Sequence, residues 1–582
     1  MGIVKKRISM LTWLQRCVYL LLIVSVLVNL KSIFTDFDGD LQYAVGMSYR
    51  MLKGDQMFVQ MWEPHQTSAF LITFFMGLYL AVTKATVGVV LFLQIVGVLL
   101  QGILAIVNYR MLKKRIDPTI AMLMSIFLFT ARPKGVVMPE FSNMQIGFSV
   151  LLLLCLIGYL EDQKKKRLLL ASSVCLCLEV LSYPSCIIVY FAVVFALFLY
   201  SDNRLKDILL FSLLCFLQGM CYILYFVWKI GFSTLLNSIP YILKMDSLHD
   251  LSSIVRNDYF LFFGQGILWM LVCFFLAVAA GYVWCHIAGG DLKSKVVMAF
   301  GIWVFLSGIA LVMLQRGKLY YGERAIYLIV YLIVICAGGA GVKHLSAQEK
   351  RIYLIGMLLT MGSFFAVCFF TNLDLLSIVG YLTVGTMISF LPLGKWLERN
   401  MLFAERKYHV LVLLLFCAMV AFQRGYILRA MNGYAIPLTE LIDPRSRGGM
   451  VKEGPATGII TDYMGAYSTR CDMEDFEIYI NSGDRLFIVS AGSNANALMY
   501  MYQNVIVCTP STICTPTYNE TLLDYWEQNP DKCPNVILVE CWFGDLHIDQ
   551  DSWIYQWIEE EFQPSTYVDG RYWRFYRLAE GK

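Results

Sequence analysis

Between residues 13 and 424 the chain is a succession of apolar runs, most of them close to the 17–25 residues that an α-helix needs to cross the hydrocarbon core of a bilayer. They fall near 13–33, 86–108, 117–133, 145–160, 168–183, 185–200, 208–229, 259–286, 296–314, 325–342, 352–370, 375–393 and 408–424, about thirteen spans in all. Polar residues collect between the runs in short clusters. Composition agrees: 58% of the 582 residues are hydrophobic and 15% charged, whereas a soluble domain carries roughly a quarter charged residues. The net charge of +4 is small and scattered, which excludes a nucleic-acid partner and leaves membrane lipids as the surroundings of most side chains. The first run ends in polar residues (Asn29, Lys31) with no small-residue cleavage site after it, so it reads as a span and not a signal peptide.

The run 68–83 decides the topology. It is apolar but short, and a clear span follows Lys84. Positive charge collects on the cytoplasmic side of a membrane protein. Lys5, Lys6, Arg7 and Arg16 precede the first span, and Arg110, Lys113, Lys114 and Arg115 follow 86–108. Both clusters lie inside only if 68–83 does not cross, so it is expected in the outer interface as an amphipathic or half-inserted helix. The count of spans is then odd. The N-terminus is cytoplasmic, and the tail emerges outside a cell membrane on the side of loop 34–67. Residues 1–424 form the transmembrane domain, with a first outer loop over 34–84, and 425–582 an extracytoplasmic domain.

That loop opens on Asp36-Phe37-Asp38-Gly39-Asp40, three carboxylates in five residues at a membrane surface. Such a cluster is costly unless hydrated, paired or used. In an extended segment the three share one side. The glycine is misplaced for a calcium loop. The two overlapping Asp-x-Asp units match a pattern that holds a metal against a nucleotide-sugar diphosphate, but those donors are cytoplasmic. An acidic, solvated loop capping a helix explains the same residues without chemistry. Glu140 and Asn143, in the next outer loop, could bind a ligand or simply cap a helix.

The arrangement resembles the GT-C class of membrane glycosyltransferases, in particular the protein O-mannosyltransferases and the bacterial aminoarabinose transferase of lipid A. The resemblance rests on Asp38-Gly39-Asp40 followed by Tyr43, on Leu52-Lys53-Gly54, and on Glu63-Pro64-His65 leading into a short interfacial helix, with the order of spans and the outward tail. Two departures are plain: the family's acid pair is commonly Asp-Glu in direct succession, and its His-Pro-Pro is here Pro-His-Gln. The resemblance implies an inverting glycosyltransferase of the cell envelope that takes a sugar from a polyprenyl-phosphate donor. Its acceptor is a hydroxyl of a protein, as in protein glycosylation, or of a lipid or glycopolymer.

One of Asp38, Asp40 and Asp36 would be the base that deprotonates the acceptor. Tyr43, Asp55, Glu63, His65, Glu140 and Asn143 would line the substrate site. The lipid-phosphate leaving group calls for cations near the outer leaflet. Candidates are Arg324, Lys318, Arg316, Arg256, Lys244 and Arg132, with Lys134 beside the last, although any one of them taken alone reads first as a residue that snorkels to head groups. No cofactor is implied with certainty. A divalent metal, if used, would be held by Asp38, Asp40 and His65. Glu179 and Asp374 are charges near outer span ends, the kind that marks a pathway.

Beyond a linker rich in Gly and Pro, short β-rich runs (457–461, 486–490, 505–508, 536–540, 572–578) alternate with helical ones, the pattern of a small α/β sheet. The tail's five cysteines show no zinc spacing, and a Cys508–Cys514 pair is left open. The five tryptophans 526, 542, 553, 557 and 573 suit a core or a sugar-stacking surface. A saccharide polymerase or ligase would use the same lipid donors. A flippase or transporter would match the span number but calls for internal repeats, which are absent.

Overall fold

A computed structural model describes residues 16–34 (except 17 and 28), 39–131 (except 64), 137–245, isolated helical positions between 275 and 339, 341–370, 377–399, 449–490 (except 462), 497–512 and 521–578 (except 543, 563 and 565). The spans expected over 259–286, 296–314 and 408–424, most of 325–342, and the domain boundary near 424 lie outside these residues.

The described N-terminal part is helical: α1 (Val18–Ser32), α2 (Gly39–Lys53), α3 (Phe70–Thr83, entered through a 3-10 turn Gln66–Ala69), α4 (Val89–Leu112), α5 (Pro118–Thr130), α6 (Phe141–Glu161), α7 (Lys166–Ser182), α8 (Val189–Tyr200, after a 3-10 turn Pro184–Ile188), α9 (Arg204–Ile230), α10 (Phe232–Met245), α11 (Ala347–Phe370) and α12 (Thr383–Arg399). Five helical stretches are long and apolar enough to cross a membrane: Gln66–Thr83, Val89–Leu112, Phe141–Glu161, Arg204–Ile230 and Ala347–Val367. Shorter apolar helices stand at 18–32, 118–130, 184–200 and 232–243.

Local chemistry sets the helix ends. Asp117 caps α5, its carboxylate accepting from the Thr119 and Ile120 amides, with Pro118 in the first turn, where a missing N–H costs nothing. Helix α2 ends on Gly54, whose positive φ of 107° closes a reverse turn. The Gly54 amide donates to Met51 O and the Asp55 amide to Arg50 O, the paired bonds of a glycine-terminated helix.

Helices α5 to α8, α11 and α12 share one apolar core that includes Phe127, Leu153, Tyr159, Leu197, Ile355 and Phe390. Exposed Leu209, Leu213, Phe216 and Trp228 on α9 suit a lipid-facing surface.

The tail forms a six-stranded mixed sheet. Strands β3 (Arg485–Val489), β4 (Ile506–Val507) and β5 (Val536–Trp542) run parallel, β3 central, and β7 (Thr566–Asp569) and β8 (Trp573–Arg577) extend it antiparallel in the order β4-β3-β5-β8-β7. A small β6 (Asp545–Leu546) pairs with β5, and β1 (Gly449–Met450) with β2 (Ile460–Thr461) make a separate ribbon. Trp526, Trp557 and Trp573 are buried in this domain's cores. Cys508 is a buried free thiol.

The tail is fastened to the N-terminal helices along the first loop. Ile460 N donates to Phe34 O (2.7 Å), Trp62 N to Pro510 O (2.9 Å), and the Tyr525 hydroxyl to Gln60 O (2.9 Å). Trp62 is 1% exposed; it stacks on Tyr241 of α10 (4.4 Å, 16°) and enters the tail's core beside Phe487, Val539 and Trp557. Segment 232–245, which lies between the expected spans 208–229 and 259–286, is a helix, and its Tyr241 helps cover this junction.

The run 66–83 departs from an amphipathic helix. It is apolar all round, with Phe74, Leu78 and Val82 exposed. Its two ends meet the same domain. Before it, Trp62 and Glu63 bond to Pro510 and Thr512; after it, Thr86 Oγ1 donates to Met501 O, Gly88 N to Gly454 O and Val90 N to Pro455 O.

Candidate functional site: the first loop and its junction with the tail

Helix α2 carries Tyr43, Met47 and Arg50 on one buried face, the spacing of an inward stripe. An arginine is out of place there, and the loop that follows answers it. Asp55, turned back by Gly54, accepts from Arg50 Nε at 2.8 Å; Gln60 O accepts from Nη2 at 2.7 Å; Glu63 lies 3.6 Å from Nη1. The tail adds Lys532, whose Nζ reaches Asp55 at 2.5 Å, and Thr512, whose amide and hydroxyl donate to Glu63 Oε1 at 2.6 and 3.0 Å. Arg50 and Glu63 have fully buried side chains. The cluster is a charged rivet between α2, the loop and the tail. Phe58, in the left-handed region at φ 67°, is fixed by bonds from its amide to Met61 O and Gln66 Oε1.

Electrostatics in this rivet are unequal. Burial alone would lower the Arg50 value, but Asp55 takes the tight contact and, as the largest stabilising partner, holds the guanidinium well above its ordinary value. Glu63 has only the looser approach to Arg50, and burial outweighs it: its carboxyl is pushed up to about 7. The folded state then holds the Glu63 proton more tightly than the unfolded chain, whose ordinary value is 4.5. The resulting stability is full below that value and is lost as pH rises towards 7, up to about 1.4 kcal/mol per pH unit across the window. Thermal unfolding should thus show a lower midpoint at pH 8 than at pH 5.5, and Glu63→Gln should flatten that difference. A midpoint that rises with pH would mean that Glu63 is ionised.

The remaining sequence candidates separate into groups. Tyr43 lies beside Glu63 and helps hold its carboxylate. His65, one residue beyond Pro64, belongs to an aromatic stack: its ring lies parallel to Phe141 (4.7 Å, 1°) and near Tyr183 (5.0 Å). Glu140 caps α6, its two oxygens accepting from the Ser142 and Asn143 amides at 2.8 Å, and Asn143 donates to Met138 O. Both thus have the capping role that competes with sugar contact.

Asp40 and Lys244 are in α2 and α10, with side chains outside the described set. Asp36, Asp38, Arg132, Lys134, Arg256, Arg316, Lys318, Arg324 and Asp374 lie outside the described residues. No group of three or more His, Cys, Asp or Glu able to hold a metal occurs among the described residues.

Sequence reasoning missed Arg50, Thr512, Lys532 and Trp62. Only Arg50 carried a local signal, its place on the apolar face of α2. The others depend on contacts across more than 400 residues of chain.

An apolar cavity of about 220 Å³ opens between α3, α4, α5 and α6, lined by Leu71, Leu104, Leu128, Met138, Ile146 and Phe148 among others. Its polar liners Gln101 and Asn143 are engaged with backbone carbonyls. Gly97 forms one wall, and a Cβ there would stand 2.0 Å from Val137 O. Ala131 and Val137, which bracket Arg132 and Lys134 in sequence, both line the cavity. Met138 also packs with Leu41, Ala44 and Val45 of α2, so this cavity adjoins the helix that begins at the acidic cluster.

No protein-family model matches this chain, and no curated protein matches it at a significant level.

Proposed function

We propose that the chain is an inverting glycosyltransferase that moves a sugar from a polyprenyl-phosphate donor to an acceptor hydroxyl at the outer face of a cell membrane. One observation carries this reading: the residues flanking the acidic cluster are pinned at the seam between the helices and the tail, next to an apolar cavity. On one side Phe34 bonds to Ile460; on the other Leu41 packs with Met138, a residue of the cavity wall.

The cavity is suited to an isoprenoid tail. The leaving phosphate of a donor seated there would need a cation to stabilise it, a role for which Arg132 and Lys134, between the lining residues Ala131 and Val137 in sequence, are candidates. An aspartate of the cluster would take the proton of the acceptor hydroxyl as it attacks the anomeric carbon. A single in-line displacement inverts the configuration, breaks the sugar–phosphate bond and releases polyprenyl phosphate. The rivet at Arg50 would keep the loop and tail in place around the reacting groups.

The contacts at both ends of the 66–83 run support the odd span count. That stretch of 18 residues is about 27 Å long, and a helix of this length crossing the bilayer would leave its ends on opposite sides. A single tail domain touching both ends fits a helix lying along the outer interface. Cysteines substituted at Lys84 and Lys113 should then react with an impermeant thiol reagent from opposite sides of the membrane. Reaction from one side would remove the shared outer face. The activity is tested by incubating the purified chain in nanodiscs with polyprenyl-phosphate sugars and candidate acceptors. Transfer is expected, and no transfer from any such donor would sink the assignment.

A further inference from the structure

Helices α6, α7 and α11 meet around Gln145, Ser149, Glu179 and Ser363, none of them more than 2% exposed. Gln145 Nε2 donates to Glu179 Oε1 at 2.6 Å, and Ser363 Oγ donates to the same oxygen at 3.3 Å. Glu179 Oε2 and Gln145 Oε1 have no hydrogen bond of normal geometry, and neither has Ser149 Oγ, which stands close enough to act on the Glu179 carboxyl. No Lys, Arg or His among the described residues pairs with Glu179. A buried carboxylate and a surplus of buried acceptors are each costly alone. A bound cation would offset both.

The backbone points the same way. Helix α7 stops at Ser182, one residue before Tyr183, and the chain passes into the 3-10 turn Pro184–Ile188. Glu179 is thus in the last turn of α7, where the negative end of the helix dipole adds to the charge of its carboxylate. Broken helices that turn their carboxyl ends inward are a recurrent way of holding a cation inside a membrane.

We propose that these residues bind one monovalent cation of the Na⁺ type, with Glu179 Oε2, Gln145 Oε1 and Ser149 Oγ as ligands and Ser363 holding Glu179 in place. The three proposed ligand atoms are oxygens, which favour a hard cation over a soft metal, although the buried Cys186 thiol also adjoins Gln145 and Glu179. A single carboxylate neutralises one positive charge, whereas a divalent ion is normally held by more. Tyr183 stands about 6 Å further along the helix axis and touches His65, which puts the site one turn beneath the first loop. A cation here would tie three helices together under that loop, independently of any glycosyl transfer.

The test is thermal unfolding of the full chain in nanodiscs at pH 8 and constant ionic strength, with choline chloride replaced stepwise by NaCl. The unfolding midpoint should rise and saturate with Na⁺. Glu179→Gln should abolish the Na⁺ response, and Ser149→Ala should raise the concentration for half effect about tenfold. A wild-type midpoint that ignores Na⁺ overturns the proposal, including the case in which it responds to pH alone because a proton occupies Glu179. So does a Glu179→Gln protein that keeps the Na⁺ response. Should that variant not fold, the wild-type titration and Ser149→Ala decide.

Discussion

Replacing Asp38 or Asp40 by Asn, one at a time, is expected to lower sugar transfer by at least about 100-fold for whichever is the base, the scale of a lost general base. Asn keeps the size of the side chain and can donate and accept hydrogen bonds, but it cannot take the acceptor's proton. The loss should therefore appear in kcat more than in KM. The other aspartate is expected to show a smaller effect that reflects positioning. The thermal midpoint of both variants should stay near wild type. Full activity in both variants would end the assignment of a base to this cluster and return the three aspartates to the role of a solvated helix cap.

The second large effect is structural. Arg50→Met should destabilise the junction of first loop and tail by about 3 kcal/mol, because Asp55 would keep only Lys532 and the Gln60 carbonyl would lose its donor. Lysine at this position should rescue poorly, since it cannot bond to Asp55 and Gln60 O in the same fork geometry. Lys532→Met should cost less, because Asp55 keeps Arg50. Limited proteolysis of the tail together with the unfolding midpoint reads all three variants. An Arg50→Met protein as resistant and as stable as wild type would show that the ion cluster is not what fastens the tail. If the junction also orders the acidic cluster, transfer should fall in step with the loss of protection.

How far these features could be read in the sequence depends on how local their causes are. The apolar runs state their solvent without help from distant residues, and helices α4, α6, α7, α9 and α11 fall where the runs predict. Asp117-Pro118 and Pro139-Glu140 mark helix starts, and Leu52-Lys53-Gly54 marks a helix end, because capping is decided within four residues. The central strands of the tail are legible as continuous apolar runs. Strand β7 is not, since Thr566 to Asp569 are all exposed and offer no buried face to detect.

The junction was the least legible part. In the sequence Asp55 and Glu63 are isolated acids in a loop expected outside, and substrate contact is the expectation for them. Their partners Arg50, Lys532 and Thr512 convert them into anchors, and two of those three come from a domain whose packing no local pattern records. Trp62 is a similar case: an aromatic beside Glu63 gave no hint that it would sit in the core of a sheet formed by residues 485–577. Glu179 was legible as a charge inside an apolar run, but its neighbours Gln145 and Ser363 lie on other helices.

In the proposed reaction a lipid phosphate leaves as the sugar moves. The most direct test uses proteoliposomes loaded with a polyprenyl-phosphate sugar, in which release of free polyprenyl phosphate and movement of the intact lipid between leaflets are followed in the same sample. Release that depends on an added acceptor, yields a product of inverted anomeric configuration and disappears in the Asp38→Asn, Asp40→Asn double variant is the predicted result. Movement of the intact donor across the membrane with no release of polyprenyl phosphate would contradict it and identify a transporter instead.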